Sequence, residues 1–200
     1  MKRILVVGED ALCCALGERL VAAGLPGWQL ARPSIDTKGV TKLVPALMRY
    51  VEQAKHVQPV LCIADTDGKC AVTLCRAWLP ENRHDRFVLR LAHTEAESWL
   101  LADREGFAKA LAVPLNKLPQ NPDEESDPKR LVLSLVRRSK DRLFRNEVIS
   151  AVDPSKPGTG YNLHLGSFVR TQWNARRGAQ CSPSLTRALK RVQALDTIQG

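Results

Sequence analysis

Nowhere in the 200 residues does an apolar run approach the ~18 positions needed to cross a bilayer. Met1-Lys2-Arg3 leads directly into the short run Ile4-Leu5-Val6-Val7, without the long apolar stretch and small-residue cleavage site of a secretory signal. A cytoplasmic protein with no membrane partner is expected. There is no C-x-x-C pair among Cys13, Cys14, Cys62, Cys70, Cys75 and Cys181, and the four histidines, His56, His84, His93 and His164, stand at no ligand spacing. That argues against a zinc site and leaves the cysteines as reduced packing residues. G-x-G-x-x-G, G-x-x-x-x-G-K-[ST] and G-x-S-x-G are also missing, which counts against dinucleotide binding, a P-loop and a nucleophile elbow.

What is present is an ordinary globular composition, 44% hydrophobic and 26% charged, in a length that suits one domain or slightly more. The net charge of +9 is distributed unevenly. Residues 127–200 hold 14 Lys and Arg against 5 Asp and Glu, whereas residues 1–126 hold 16 of each. A basic last third points to a polyanion, with nucleic acid ahead of a membrane surface. Five of the cations, Arg137, Arg138, Lys140, Arg142 and Arg145, cluster around a single acid, Asp141. Local pairing cannot neutralise them, so Arg137, Arg138, Lys140 and Arg142 are the expected phosphate contacts.

Along the chain, apolar runs alternate with amphipathic stretches. Ile4 to Val7 reads as a strand buried on both faces, and Leu12, Leu16 and Leu20 as a helix closed by Gly24. A weak strand at residues 28–32 precedes a helix carrying Leu43, Leu47, Val51 and Ala54. Val60 to Ala64 is the next buried strand, followed by a helix at 70–79 with Val72, Cys75 and Leu79 inward. Phe87 to Leu91 is a further strand, and one helix is expected over 95–111. This order predicts an α/β fold, a mostly parallel sheet flanked by helices, over residues 1–113. Residues 114–128, rich in proline and acids, read as a linker. Residues 129–200 read as a basic helical region packed on the core, with helices at 128–144, 163–174 and 184–195.

Ligands of parallel sheets collect at the carboxyl ends of the strands. Glu9 and Asp10, Asp65 and Asp67, and Glu95 and Glu97 all fall there. If their strands are neighbours, these acids converge, and like charges so close call for protons or a hard cation such as Mg²⁺ or Mn²⁺. Asp65-x-Asp67, followed by the turn-forming Gly68, has the spacing to aim two carboxylates at one ion.

A strand ending in an acid, then a βα stretch, then a strand ending in Asp65-Thr66-Asp67, resembles the Toprim domain of topoisomerases, primases and OLD-type nucleases. Glu95-Ala96-Glu97-Ser98-Trp99-Leu100-Leu101-Ala102-Asp103 resembles the E-x-W-L-L-A-D signature of small Toprim-like proteins of uncharacterised function, often encoded beside ABC-type ATPases in phage-defence neighbourhoods. Asp127-Pro128-Lys129, Gly160-Tyr161 and Ser182-Pro183-Ser184-Leu185 are similar to landmarks of that family.

The resemblance implies a Mg²⁺-dependent (or Mn²⁺-dependent) nuclease cleaving DNA or RNA. Asp65 and Asp67 would hold the metal with Glu9 beside them, Glu9 would also move the proton, and Glu97 would hold a second metal or orient the first. An ABC/AAA-type ATPase partner in antiviral defence is expected on the same ground, and homo-oligomerisation is left open. In one respect the chain departs from the pattern: Toprim members usually have Glu-Gly after the first strand, and this chain has Gly8-Glu9, a one-residue shift that leaves Asp10 as an alternative to Glu9. Two alternatives stand beside the nuclease. One is a non-catalytic adaptor of an ATPase complex. The other is a receiver-like module, since residues 2–10 also resemble the opening of response-regulator receivers, with Asp65 as phosphoacceptor.

Overall fold

The computed structural model describes residues 1–81 and 83–198. The elements in chain order are β1 (Arg3–Gly8), α1 (Ala11–Gly24), β2 (Gln29–Leu30), β3 (Ile35–Asp36), α2 (Val40–His56), β4 (Val60–Asp65), α3 (Ala71–Trp78), β5 (Phe87–Ala92), α4 (Ala96–Ala102) and α5 (Arg104–Ala110). They continue with α6 (Pro128–Val136), α7 (Arg142–Val148), α8 (Tyr161–Thr171), α9 (Ala175–Gly178) and α10 (Pro183–Gln193). The sheet is parallel in the order β2-β1-β4-β5, with the short β3 also pairing with β1 at its carboxyl end. The fold is therefore α/β, a five-stranded parallel sheet flanked by helices with a helical C-terminal region.

β1 and β4 are buried on both faces, as their apolar runs Ile4–Val7 and Val60–Ala64 require, and β5 is so except at Arg90. Ile4, Val6, Leu61, Ile63, Val88 and Ala92 point into one core with α1 and the C-terminal helices; Leu5, Val7, Cys62, Ala64, Leu89 and Leu91 point into a second with α2 and α3. The basic third thus covers one face of the sheet, contributing Val132, Leu165, Phe168, Trp173, Leu185 and Val192. Among the described residues, no helix is long and apolar enough to cross a membrane.

Two expected helices are each divided. The stretch 95–111 breaks at Asp103, which is fully buried. Its carboxylate accepts from the Gly106 N–H (3.2 Å) to cap α5, from the Asn174 N–H (2.8 Å), and from Arg177 (Nη2, 2.8 Å). A buried charge needs such partners, and the helix yields to supply them. The stretch 128–144 breaks after Arg137 and restarts at Asp141, whose carboxylate caps α7 by accepting the Phe144 N–H at 3.0 Å. Leu143 is consequently exposed rather than part of an apolar stripe, and Val72 is exposed where Leu74 packs inward. Residues 114–128 form two short 3-10 turns, tied down where Asp123 accepts from Ser182 Oγ (2.7 Å) and the Ser184 N–H (2.7 Å). All six cysteines are free; Cys13, Cys14 and Cys62 are buried, Cys75 and Cys181 half-buried, and Cys70 exposed.

Asp103→Ala is expected to lower the unfolding free energy by ~3 kcal/mol, because it strips Arg177, the Asn174 N–H and the α5 cap of their acceptor at once. Urea denaturation of the variant against wild type checks this, and a loss within ~0.5 kcal/mol would show the α4–α9 tie to be dispensable.

Candidate functional site

Strands β1, β4 and β5 are immediate neighbours, so the loops after them lie side by side. The register places Gly8 level with Ile63, and Asp65 level with Ala92. Beyond the strand ends the ladder continues through Glu9 N–H to Ile63 C=O (2.9 Å), Thr66 N–H to Ala92 C=O (3.1 Å) and Asp67 N–H to Thr94 C=O (2.9 Å). The carboxylates thus stand on backbone held from both sides.

Glu9 turns toward the β4 end: its Oε2 accepts the Asp65 N–H at 3.1 Å. The Gly8-Glu9 order has a steric cause. A Cβ at residue 8 would lie 2.5 Å from the Cys14 nitrogen and 2.7 Å from the Asp10 carbonyl, inside any permitted contact. The first turn of α1 therefore excludes a side chain at residue 8, and the carboxylate is carried by residue 9. Asp10 is committed elsewhere, capping α1 through the Cys13 N–H at 2.8 Å.

Asp65 ends β4, and Cys13 Sγ lies 3.8 Å from its Oδ1 as a weak donor. Burial pushes the Asp65 carboxyl from 3.8 up to about 8, and the nearby charges of Glu97, Glu9 and Asp10 push the same way against Lys129. Glu9 is also raised, by burial first and then by Asp67 and Asp10, with the Asp65 N–H opposing.

Asp67 is exposed, in a left-handed conformation (φ 48°), with Gly68 following at φ 72°. Opposite it, Thr94 has φ 59°, an outlier for a β-branched residue. Its N–H reaches the buried Thr66 Oγ1 at 2.7 Å, and its hydroxyl reaches the Glu125 carbonyl at 3.3 Å. Two strained residues thus flank Asp65, and their hydrogen bonds hold the loop in place.

Glu97 lies in the first turn of α4 and is 2% exposed. Tyr161 donates its hydroxyl to Glu97 Oε1 at 2.8 Å, and the Lys129 ammonium stands 3.7 Å from the same oxygen. Lys129 also pairs with Glu95 at 3.2 Å and donates its N–H to the second Glu95 oxygen at 3.0 Å. Burial raises Glu97, with Lys129 and Tyr161 opposing; burial works to lower Lys129, but Glu97 and Glu95 outweigh it and hold the ammonium firmly charged. Lys129 and Tyr161 were noted in the sequence only as landmarks of the resemblance. Periodicity could not reveal that both reach Glu97 from elements 32 and 64 residues further along.

Arg137, Arg138, Lys140 and Arg142 are all exposed, in the turn from the end of α6 to the start of α7 rather than along one helix. Among the described residues, no ion pair involves any of them. α6 begins beside the carboxylates with Lys129 and ends at Arg137, about 12 Å along the helix axis at 1.5 Å per residue. Compared with protein-family models, curated proteins and solved structures, the chain matches none.

A carboxyl raised from 3.8 to about 8 binds a proton in the folded protein that the unfolded chain releases over this range, so stability falls as pH rises from 3.8 toward 8. Asp65→Asn removes that dependence and the repulsion with it. The variant is expected to gain ~1 kcal/mol or more at pH above 8 and to show a flatter stability profile. Thermal and urea denaturation across this range check the sign.

Proposed function

We propose that the chain is a divalent-metal-dependent, Toprim-like phosphodiesterase that cleaves nucleic acid. The observation supporting this most is Asp65: a half-buried carboxyl, raised to about 8, at the end of a central parallel strand, with Glu9 hydrogen-bonded to its main chain and Asp67 two residues on. Among the described residues, no three His, Cys, Asp or Glu side chains close around a common point as they stand. The donor chemistry fits a hard cation all the same, because Glu9, Asp65 and Asp67 offer only oxygen, and neighbouring carboxylates add to desolvation in raising Asp65 and Glu9, a cost that a bound cation would offset.

Asp65 and Asp67 would hold Mg²⁺ or Mn²⁺, which when bound polarises a phosphate and lowers the pKa of water. Glu9, with its carboxyl raised by burial, is suited to accept a proton from the attacking water and return it to the leaving oxygen. Glu97 is held by Tyr161 and Lys129, and its part is to set the field at Asp65. The Lys129 ammonium lies near enough to this field to attract a phosphate oxygen. Arg137, Arg138, Lys140 and Arg142 would carry the strand beyond, contacting backbone without reading bases. An effector role in antiviral defence beside an ATPase partner rests on the sequence resemblance.

One observation favours a second reading, a non-catalytic adaptor: the protein's own Lys129 already neutralises the Glu95–Glu97 end of the acidic edge. Two measurements separate the readings. The nuclease reading expects Mg²⁺ or Mn²⁺ to raise the melting temperature, with ~2.7 kcal/mol of stabilisation at a hundredfold excess over Kd. It also expects plasmid or RNA cleavage by the purified chain, with Asp65→Ala and Asp67→Ala abolishing the cleavage while folding normally. Folded wild-type protein that neither responds to the metals nor cleaves would favour the adaptor.

The basic turn makes a separate demand. Replacing Arg137, Arg138, Lys140 and Arg142 together by Ala is expected to reduce the salt slope of nucleic-acid binding by ~0.9 per lost contact for duplex or ~0.7 for single strands. Identical slopes for wild type and variant, measured by titration at several salt concentrations, would remove this surface from the binding path.

A further inference from the structure

A second site lies at the outer edge of the sheet. β5 is the outermost strand in the order β2-β1-β4-β5, and alternation places the Arg90 side chain on the same face as Val88 and Ala92, under α10. Arg90 breaks an otherwise apolar strand, FVLRLA, at a half-buried position. Its Nε is buried and, among the described residues, has no hydrogen-bond partner. A cavity of about 250 Å³ opens here, lined by Cys75, Glu81, Arg83, His84, Arg90 and Arg191 among others.

The charges around Arg90 are of its own sign. Burial lowers its pKa first, and Arg191, Arg187 and Arg83 lower it further, with Cys75 opposing. Arg187 and Arg191 are one turn apart on α10, so both project to one side of that helix. The acids at the rim are committed or exposed: Asp85 pairs with Arg191 at 3.6 Å and accepts from it through its carbonyl at 3.0 Å, and Glu81 is exposed. His84 Nδ1 accepts the Arg86 N–H at 3.2 Å. A half-buried guanidinium that faces like charges, and whose Nε has no acceptor among the described residues, carries a cost that an anion in the cavity would offset.

We propose that this cavity binds a phosphoryl group, either free as pyrophosphate or carried on the end of a nucleic acid strand. Arg83, Arg90 and Arg191 line one small polar space, with Arg187 one turn from Arg191, and such a set matches a multiply charged tetrahedral anion with three free oxygens better than a carboxylate with two. The cavity lies at the outer edge of the sheet, between α3 and α10, with Arg90 two residues down β5 from the level of Asp65, so it is separate from the carboxylate edge and does not depend on metal chemistry there.

The test is calorimetric titration of the full chain with pyrophosphate at low ionic strength. Saturable single-site binding is expected, weakened about tenfold or more in Arg90→Gln by loss of charge-assisted hydrogen bonds. A similar loss is expected in the Arg187→Gln/Arg191→Gln double variant, and none in Lys42→Gln, a charge control on α2. Absence of saturable binding, or unchanged affinity in folded Arg90→Gln, overturns the proposal. If Arg90→Gln does not fold by circular dichroism, the double variant decides alone, since Arg187 is exposed and Arg191 sits at the rim. The source is resolved by comparing one oligonucleotide with a phosphorylated or a hydroxyl end. A preference for the phosphorylated end that the double variant loses places the ligand on a strand; pyrophosphate binding without that preference makes it a free anion.

Discussion

Carboxylates crowd the ends of three adjacent parallel strands, Glu97 buried and Glu9, Asp65 and Glu95 half-buried, with the Lys129 ammonium paired to Glu95 and Glu97. Much else in the molecule follows from this. Desolvation first, and then mutual repulsion, raise the carboxyls of Asp65, Glu9 and Glu97, Asp65 to about 8. Such an edge persists only because the backbone beneath it is overdetermined. The ladder runs past the strand ends, Asp67 and Thr94 take left-handed conformations, and Asp10 and Thr66 spend their side chains on main-chain N–H groups.

The short helix α4 joins this edge to the rest of the chain. All seven of its residues are buried, and each end meets a different part of the C-terminal third. Glu97 takes Tyr161 and Lys129; the Trp99 indole donates to Ser184 Oγ at 2.7 Å, and the Trp173 indole to the Trp99 carbonyl at 3.1 Å; Asp103 receives Asn174 and Arg177. Tyr161 and Ser184 belong to the landmarks that accompany the Glu95–Asp103 motif in the resemblance, and so does Lys129. Their separation in sequence and union in space explain why a helical region with its own charge balance shares a core with the sheet.

The same arrangement divides the charge of the molecule. The balanced first part supplies the acidic edge, while the basic third lays its helices over one sheet face and leaves two groups of cations outside. The turn after α6 is open to solvent, about 12 Å from the carboxylates along the helix. The arginines of α10 meet Arg90 at the far strand. Both groups favour anions, in different settings: exposed cations act through screened, long-range attraction, whereas a half-buried guanidinium selects by hydrogen-bond geometry.

The parallel α/β class was legible because doubly buried strands must be apolar throughout and the helices between them must carry a stripe; Ile4–Val7, Val60–Ala64 and Leu12-Leu16-Leu20 satisfy this locally. The placement of acids at strand ends was legible for the same reason. Helix ends were less so. The breaks at Asp103 and after Arg137 arise from partners 71 or more residues away and from a buried Ser139 whose hydroxyl accepts the Asp141 N–H at 3.2 Å, neither of which changes the local apolar period. Composition and spacing determined by themselves that the chain builds a parallel sheet with acids at its carboxyl edge and a basic helical third. Only the tertiary structure decided that Glu9 reaches Asp65, that Lys129 and Tyr161 converge on Glu97, and that Arg90 faces other arginines, because burial and the field of distant charges exist only once the chain has folded.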